Sequence, residues 1–499
     1  MRLKNRVFFY ELTGIVLIFL AALPRRLIFP LKGLFAFNYD QGRDFLAVSK
    51  MIYEKDLVLI GPTTGLQGIF YGPWWYYFLA PLIFLSGGDP QKVAVFFSFI
   101  GVLTIVFLYL LLRTVTKNNL LSALLATITA FSNLWMFGPT NIWSPSLTPI
   151  ILIINVYAAY KIFTSPQRLY FFLLGLSTFL IADTTASLNA ISLIFLIALP
   201  IFFKKYFYKT NFIFAVLGSI LILLPRILFE VKNNFLMTKS LISYLIEPRI
   251  YGERLNILSR LISRIDQMYQ LFLQGFLDGN KLFGILFLSL LLVIFILKRK
   301  QTFTKIKKDN FLMFLLFFLI TILLYFTVYP DRIWDYYLIM IPTLFVILIA
   351  KIFNYALDIK FLKLSVYFVL ILMIIINFKK SYLPPYNVTW KGDGATYVNE
   401  KKVMDYISSQ NPHNYSFFAY SPAIFDYPFD YLVWWYSKRG LIENPMKDQN
   451  NLILVIREVS TRKYLTSGWY GDKTRDNTKV LDKEEFPGNL LVEKHEKLN

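Results

Sequence analysis

The 499-residue chain is 56% hydrophobic and only 17% charged, with a mean hydropathy of +0.52. No ordinary soluble domain has that balance, and repeated apolar runs of about 17–25 residues are long enough to cross a bilayer as helices. The net charge of +21 does not point to nucleic acid, because the stretch from Lys380 to Asn499 carries 16 basic and 15 acidic residues and the excess lies in the apolar part before it. There is no cysteine, so no disulfide framework and no thiol chemistry. The two histidines, His413 and His495, are both in the tail. That removes His/Cys metal sites and Ser-His or Cys-His catalysis from the apolar part.

In chain order, Met1–Arg6 holds three basic residues and the first apolar run follows from Val7 to Leu23. No small-x-small cleavage site follows it, so it reads as an uncleaved first span rather than a signal peptide. Eleven spans are predicted, at 7–24, 92–112, 120–138, 146–162, 169–182, 187–203, 211–227, 281–297, 311–328, 336–352 and 362–378. With the N-terminus cytoplasmic, the loops on that side net +17 against +4 on the other, and "KRKQTFTKIKK" (298–308) is the strongest inside marker. Arg25 and Arg26 run against this bias and are placed in a long exterior loop, 24–91. Within that loop, "YGPWWYYFLAPLIFLSGG" (71–88) is apolar but short and broken by Pro73 and Pro81. It reads as an interfacial or partly re-entrant segment, with Trp74, Trp75, Tyr76 and Tyr77 at headgroup level. Beyond residue 380 the tail reads as a small exterior α/β domain: helices over 397–409 and 429–440, strands over 415–421 and 451–460. Sequons stand at Asn387 and Asn414.

The glycine-rich "GPTTGLQG" (61–68) lacks the Gly-Lys-Ser/Thr ending of a P-loop, so nothing suggests ATP-driven transport. Chemistry must come from Asp, Glu, Arg, Lys, Tyr and Asn. "FNYDQGRDF" (37–45) places Asp40, Arg43 and Asp44 within five residues on the exterior side. A carboxylate there can act as general base toward a hydroxyl or amine; the same residues also suit a solvated helix start that Asp40 caps. Arg226, after Pro225 in "LLPRILFE", can hold a phosphate or can snorkel to the interface. "YPDRIWDYYLIMIP" (329–342) gathers Arg332, Asp335 and Tyr336 at the start of the tenth span, where the tyrosines also suit an aromatic belt. Asn141 in "GPTNIWSPS" (138–146) is either a substrate contact or part of a Pro/Asn turn, and Asp183 is an exterior helix-end acid.

Together these elements resemble the GT-C superfamily of membrane glycosyltransferases. The resemblance is to the branch of the dolichyl-phosphate-mannose protein mannosyltransferases and the lipid A aminoarabinose transferase. The likeness lies in the arrangement: a first helix, a long exterior loop with an acidic motif (Asp40 to Asp44), a proline-aromatic stretch ("YGPWWYYFLAPL"), a second exterior loop ("NIWSPS"), further helices and an exterior soluble domain. Where much of the branch has Asp-Glu, this chain has Asp40-Gln41. Tyr71-Gly72-Pro73 stands in place of the family's histidine and prolines, and Asn141 stands where some relatives carry a second acid.

The resemblance implies an α-helical polytopic membrane protein of GT-C-like fold, with about eleven transmembrane helices (1–380) and a small C-terminal exterior α/β domain (381–499). It implies an inverting transfer of a sugar from a polyprenyl-phosphate donor to an exterior acceptor: protein, lipid or glycan. Asp40 would be the base and Asp44 its alternate. Arg226 and Arg332 would bind the donor phosphate, and Arg43, Tyr71, Asn141, Asp335 and Tyr336 would contact substrate. A divalent cation, Mg or Mn, stays open. The partners are then the lipid-linked donor, the bilayer and the acceptor, with no nucleic acid, and the location is a cell or inner membrane. Three rival readings are a polymerase or ligase of lipid-linked glycans, a lipid or polysaccharide transporter, and a catalytically dead relative whose tail is a binding module. The chain shows no internal repeat of the kind many transporters carry.

Overall fold

The structure is a computed structural model that describes residues 2–132, 134, 141–185, 201–204, 209–246, 256–277, 279–297, 309–329, 333–382, 391–420, 426–446, 451–458 and 478–498. Arg332, Asn387, the 298–308 run and most of the expected span 187–203 lie outside the described residues.

The helices are α1 (Arg2–Leu31), α2 (Tyr39–Glu54), α3 (Trp74–Ser86), α4 (Pro90–Thr116), α5 (Asn119–Phe131), α6 (Thr148–Thr164), α7 (Arg168–Thr184), α8 (Lys209–Lys232), α9 (Leu236–Ile246), α10 (Ile257–Leu277), α11 (Lys281–Leu297), α12 (Asn310–Val328), α13 (Ile341–Ala356), α14 (Lys360–Asn377), α15 (Tyr397–Ser409) and α16 (Tyr427–Lys438). Among the described residues, seven helical stretches are long and apolar enough to cross a membrane, or eight if the bent pair α10–α11 counts as one. Of the other expected spans, α5 and α7 are helices of 13 and 17 residues, and α11, the second half of the bent pair, has 17. At 1.5 Å per residue the two 17-residue helices stand at the short end of the ~17–25 residues of a crossing, and α5 falls below it. The chain is an α-helical polytopic membrane protein with a small C-terminal α/β unit.

Two sequence expectations are corrected here. Arg25 and Arg26 are not in a loop: α1 continues through Pro24 to Leu31, and both arginines are buried on it. The Arg26 guanidinium donates to Ala22 O and Ala130 O, and Arg25 donates to Phe131 O at 3.1 Å. The latter two carbonyls close α5, whose last turn has no intrahelical donors, so the cations satisfy a negative helix end inside the protein. Second, Trp75 and Tyr76 are not belt residues. Both are buried within the protein, on a helix α3 that is only 13 residues long.

The C-terminal unit is a four-stranded sheet in the order β1-β2-β4-β3, with β1 (Tyr415–Tyr420) parallel to β2 (Leu452–Glu458) and β4 (Leu490–Lys497) antiparallel to both β2 and β3 (Thr478–Phe486). α16 lies between β1 and β2 in sequence, as a parallel pair requires a crossover. The helices and the first two strands follow the apolar pattern. β3 and β4 were not foreseen, because "TKVLDKEEF" is an exposed edge strand studded with charge and β4 ends in "EKHEK". Such charge guards an edge against unwanted pairing and hides its periodicity. The unit is zipped to the membrane part just ahead of α2. Phe37 N–H donates to Ala395 O, Tyr397 N–H to Phe35 O and Val398 N–H to Gly33 O, while Ala36 bridges Thr396 on one side and Asn141 on the other.

Glu400, in the first turn of α15, is buried, and its Oε2 has no hydrogen-bond partner among the described residues. Burial, then the charges of Asp393 and Glu458, push its carboxyl well above the usual range. A raised carboxyl favours the protonated folded state. Its contribution to stability is complete below the unfolded value of about 4.3 and is lost as pH rises toward the folded one, by about 1.4 kcal/mol per pH unit. Glu400→Gln removes this loss. In thermal melts from pH 4 to 8 the variant's advantage over wild type is expected to grow with pH; a constant difference would contradict the burial argument.

Candidate active site

Asn38 opens α2. Its side chain accepts from Asp40 N–H, and Gln41 reaches back to Asn38 N–H, which completes a capping box. The cap is therefore Asn38, and Asp40 lies in the first turn with its carboxylate free for other work. One turn of helix brings Arg43 beside it. Arg43 Nη1 meets Asp40 Oδ1 at 3.0 Å, while Arg43 Nη2 and Nε both meet Asp44 Oδ1 at 2.9 Å.

The two acids differ sharply in environment. The Asp40 side chain is 35% exposed, the Asp44 side chain 1%. Asp44 also accepts from Trp75 Nε1 at 2.7 Å and from Tyr76 Oη at 3.4 Å. Burial pushes the Asp44 carboxyl up to about 6, against the pull of Arg43 and Trp75. Asp44 is thus a fixed anchor. Asp40 is the carboxylate that an incoming molecule can reach.

The stretch 71–77 links this cluster to a second acid–arginine pair. Asp183, at the end of α7, meets Arg226 Nη2 at 2.6 Å, and it accepts from the N–H groups of Gly72 and Trp74. A Cβ on Gly72 would stand 1.7 Å from Asp183 Oδ1, so the turn needs glycine there. Trp74 Nε1 donates to Ile222 O in α8, three residues before Pro225. One short segment therefore grips Asp183–Arg226 with its backbone and Asp44–Arg43 with its side chains. Arg226 lies within α8, directly after Pro225, and its partner is Asp183.

Asn141, Asp335 and Tyr336 come together at a cavity of about 290 Å³, whose wall also includes Trp143, Gln274 and Trp334. Tyr336 stacks edge-on against Trp143 at 4.6 Å and lies within electrostatic range of Asp40 and Tyr71. Asn141 pairs with Ala36, four residues before Asp40. The wall is mostly apolar, with the amides of Asn141 and Gln274 and the carboxylate of Asp335 as the few polar groups that can orient a ligand. Tyr71 is half-buried, and its backbone is paired with Gly61 and Pro62. Arg332 lies outside the described residues.

Sequence reasoning missed Trp75 and Tyr76 as partners of Asp44, Asp183 as partner of Arg226, and Gln274. The last belongs to α10, an amphipathic helix that carries Arg260, Arg264 and Asp266 and therefore lacks the long apolar run by which spans were found. Both acids of this cluster contact Arg43, and among the described residues no group of three or more His, Cys, Asp or Glu side chains converges.

No protein-family model matches the chain, and no curated protein matches it. Among solved structures the chain is similar to ArnT from Cupriavidus metallidurans in the apo state, with a TM-score of 0.59 over 97% of this chain and 98% of that one, at 11% sequence identity. At that identity the likeness shows a shared polytopic fold.

Proposed function

We propose that the chain is an integral-membrane glycosyltransferase that moves a sugar from a polyprenyl-phosphate donor to an acceptor on the exterior face. The observation that carries this reading is the asymmetry of the two acids around Arg43: one is buried and immobilised, the other is partly exposed and within electrostatic range of Tyr336 in the cavity wall. The ArnT-like fold and the GT-C-like order of motifs support it. In this reading the N-terminus is cytoplasmic and the C-terminal unit exterior.

Asp40 accepts the proton of the acceptor hydroxyl or amine as that atom bonds to the anomeric carbon. The bond from that carbon to the phosphate oxygen breaks on the opposite side, and polyprenyl phosphate leaves with the electron pair. We assign Arg226 and Arg332 to the donor phosphate, where a guanidinium stabilises the growing negative charge. We assign Arg43 to Asp40 and the acceptor, and Tyr71, Asn141, Asp335 and Tyr336 to the sugar. A single displacement inverts the anomeric centre.

Membranes containing the protein, given a panel of labelled polyprenyl-phosphate sugars and native envelope extract, are expected to form a glycoside of configuration opposite to the donor. Retention of configuration would contradict the mechanism, and no transfer from any donor would contradict the class.

A further inference from the structure

The C-terminal unit reaches the acid–arginine cluster through one helix. α16 lies along α2. Its Tyr427–Pro428 backbone faces Gly42, its Tyr431 ring packs on Phe45 at 5.1 Å, and its Trp434 ring packs on Tyr53 at 5.3 Å. A Cβ on Gly42 would stand 2.3 Å from Pro428 N and 2.4 Å from the Tyr427 carbonyl carbon, so glycine alone permits this approach. Tyr431 Oη donates to Gly88 O and Trp435 Nε1 to Gly87 O, which pins α16 to the turn between α3 and α4 as well.

At the leading end of α16 the contacts run straight to Asp40. The Tyr427 ring meets the Tyr39 ring edge-on at 5.1 Å, and the Tyr39 face lies under the Arg43 guanidinium at 5.4 Å from its centroid. Asp44 grips that guanidinium by Nε and Nη2 and leaves Nη1 for Asp40. Asp40 itself is partly open to solvent, so its orientation depends on how firmly Arg43 is held.

We propose that Tyr427 is a positioning residue for Asp40: its ring braces Tyr39 beneath the Arg43 guanidinium, and Arg43 fixes the Asp40 carboxylate. The C-terminal unit is then part of the site's frame. The consequence for sugar transfer rests on Asp40 as base, but the positioning itself does not, and the experiment separates the two.

The full-length protein in detergent is treated with a water-soluble carbodiimide and glycine ethyl ester, and Asp40 modification is followed by peptide mass spectrometry. Losing an aromatic pair and loosening a cation–π contact each change an equilibrium by a few-fold. Tyr427→Ala and Tyr427→Leu are both expected to raise the Asp40 labelling rate by about threefold or more, whereas Tyr427→Phe keeps the ring and the wild-type rate. Trp434→Ala removes a ring contact at the far end of the same helix pair and is expected to leave Asp40 unchanged. Wild-type labelling in Tyr427→Leu, or an equal rise in Trp434→Ala, would overturn the inference. Assayed for transfer, Tyr427→Ala should lower kcat with the donor KM unchanged. A variant that frees Asp40 yet transfers normally would leave the positioning intact and remove Asp40 as base.

Discussion

Asp44→Ala is expected to destabilise the protein by about 3–5 kcal/mol, the usual cost of breaking one side of a buried ion pair. The size follows from what it leaves behind. Arg43 loses the partner of its Nε and Nη2, and the buried Trp75 Nε1 loses its acceptor. Each is a polar group kept from water, and a buried group without a partner costs far more than a hydrogen bond gains. Asp44→Asn keeps the shape and an acceptor oxygen and removes the charge, so its loss should be smaller. Thermal unfolding of the two variants in detergent checks the order. An Asp44→Ala protein that melts like wild type would show that α2 and α3 are not held together through this carboxylate. Loss of transfer in either variant reports on the frame of the site, because Asp44 has no exposed edge to offer a substrate.

The sequence was most legible where one physical signal dominated. Apolar length marked the long spans, and the charges packed among aromatics at 37–45 marked the start of α2. It was least legible where an element mixes signals. α10 interrupts its apolar stripe with Arg260, Arg264 and Asp266, and β3 is charged almost throughout. Arg25 and Arg26 looked like loop residues because buried cations are costly; their reason is the carbonyl end of α5, which lies more than a hundred residues away in the chain. The same holds at the site. Asp40, Arg43 and Asp44 lie close in sequence, so their cluster was visible. Which acid is buried depends on Trp75 and Tyr76 folding back from α3, and no local pattern encodes that. Tyr427 is remoter still: its contact with Tyr39 exists only because Gly42 and the 33–37 zipper bring the C-terminal unit onto α2.

In the proposed mechanism two neighbouring carboxylates divide the work, Asp44 fixing Arg43 and Asp40 meeting the acceptor. Asp40→Asn tests that division. The Asp40–Arg43 contact is partly solvated, and such pairs contribute about 0–1 kcal/mol, so the variant should fold and melt almost as wild type does. Removing a general base costs about 10²- to 10⁴-fold in rate. The most direct measurement is therefore the initial rate of sugar transfer from labelled polyprenyl-phosphate donor, wild type against Asp40→Asn, at matched amounts of folded protein. A fall of at least a hundredfold with an unchanged melting temperature is the expected result. Transfer within a few-fold of wild type would contradict the assignment of Asp40 as the base.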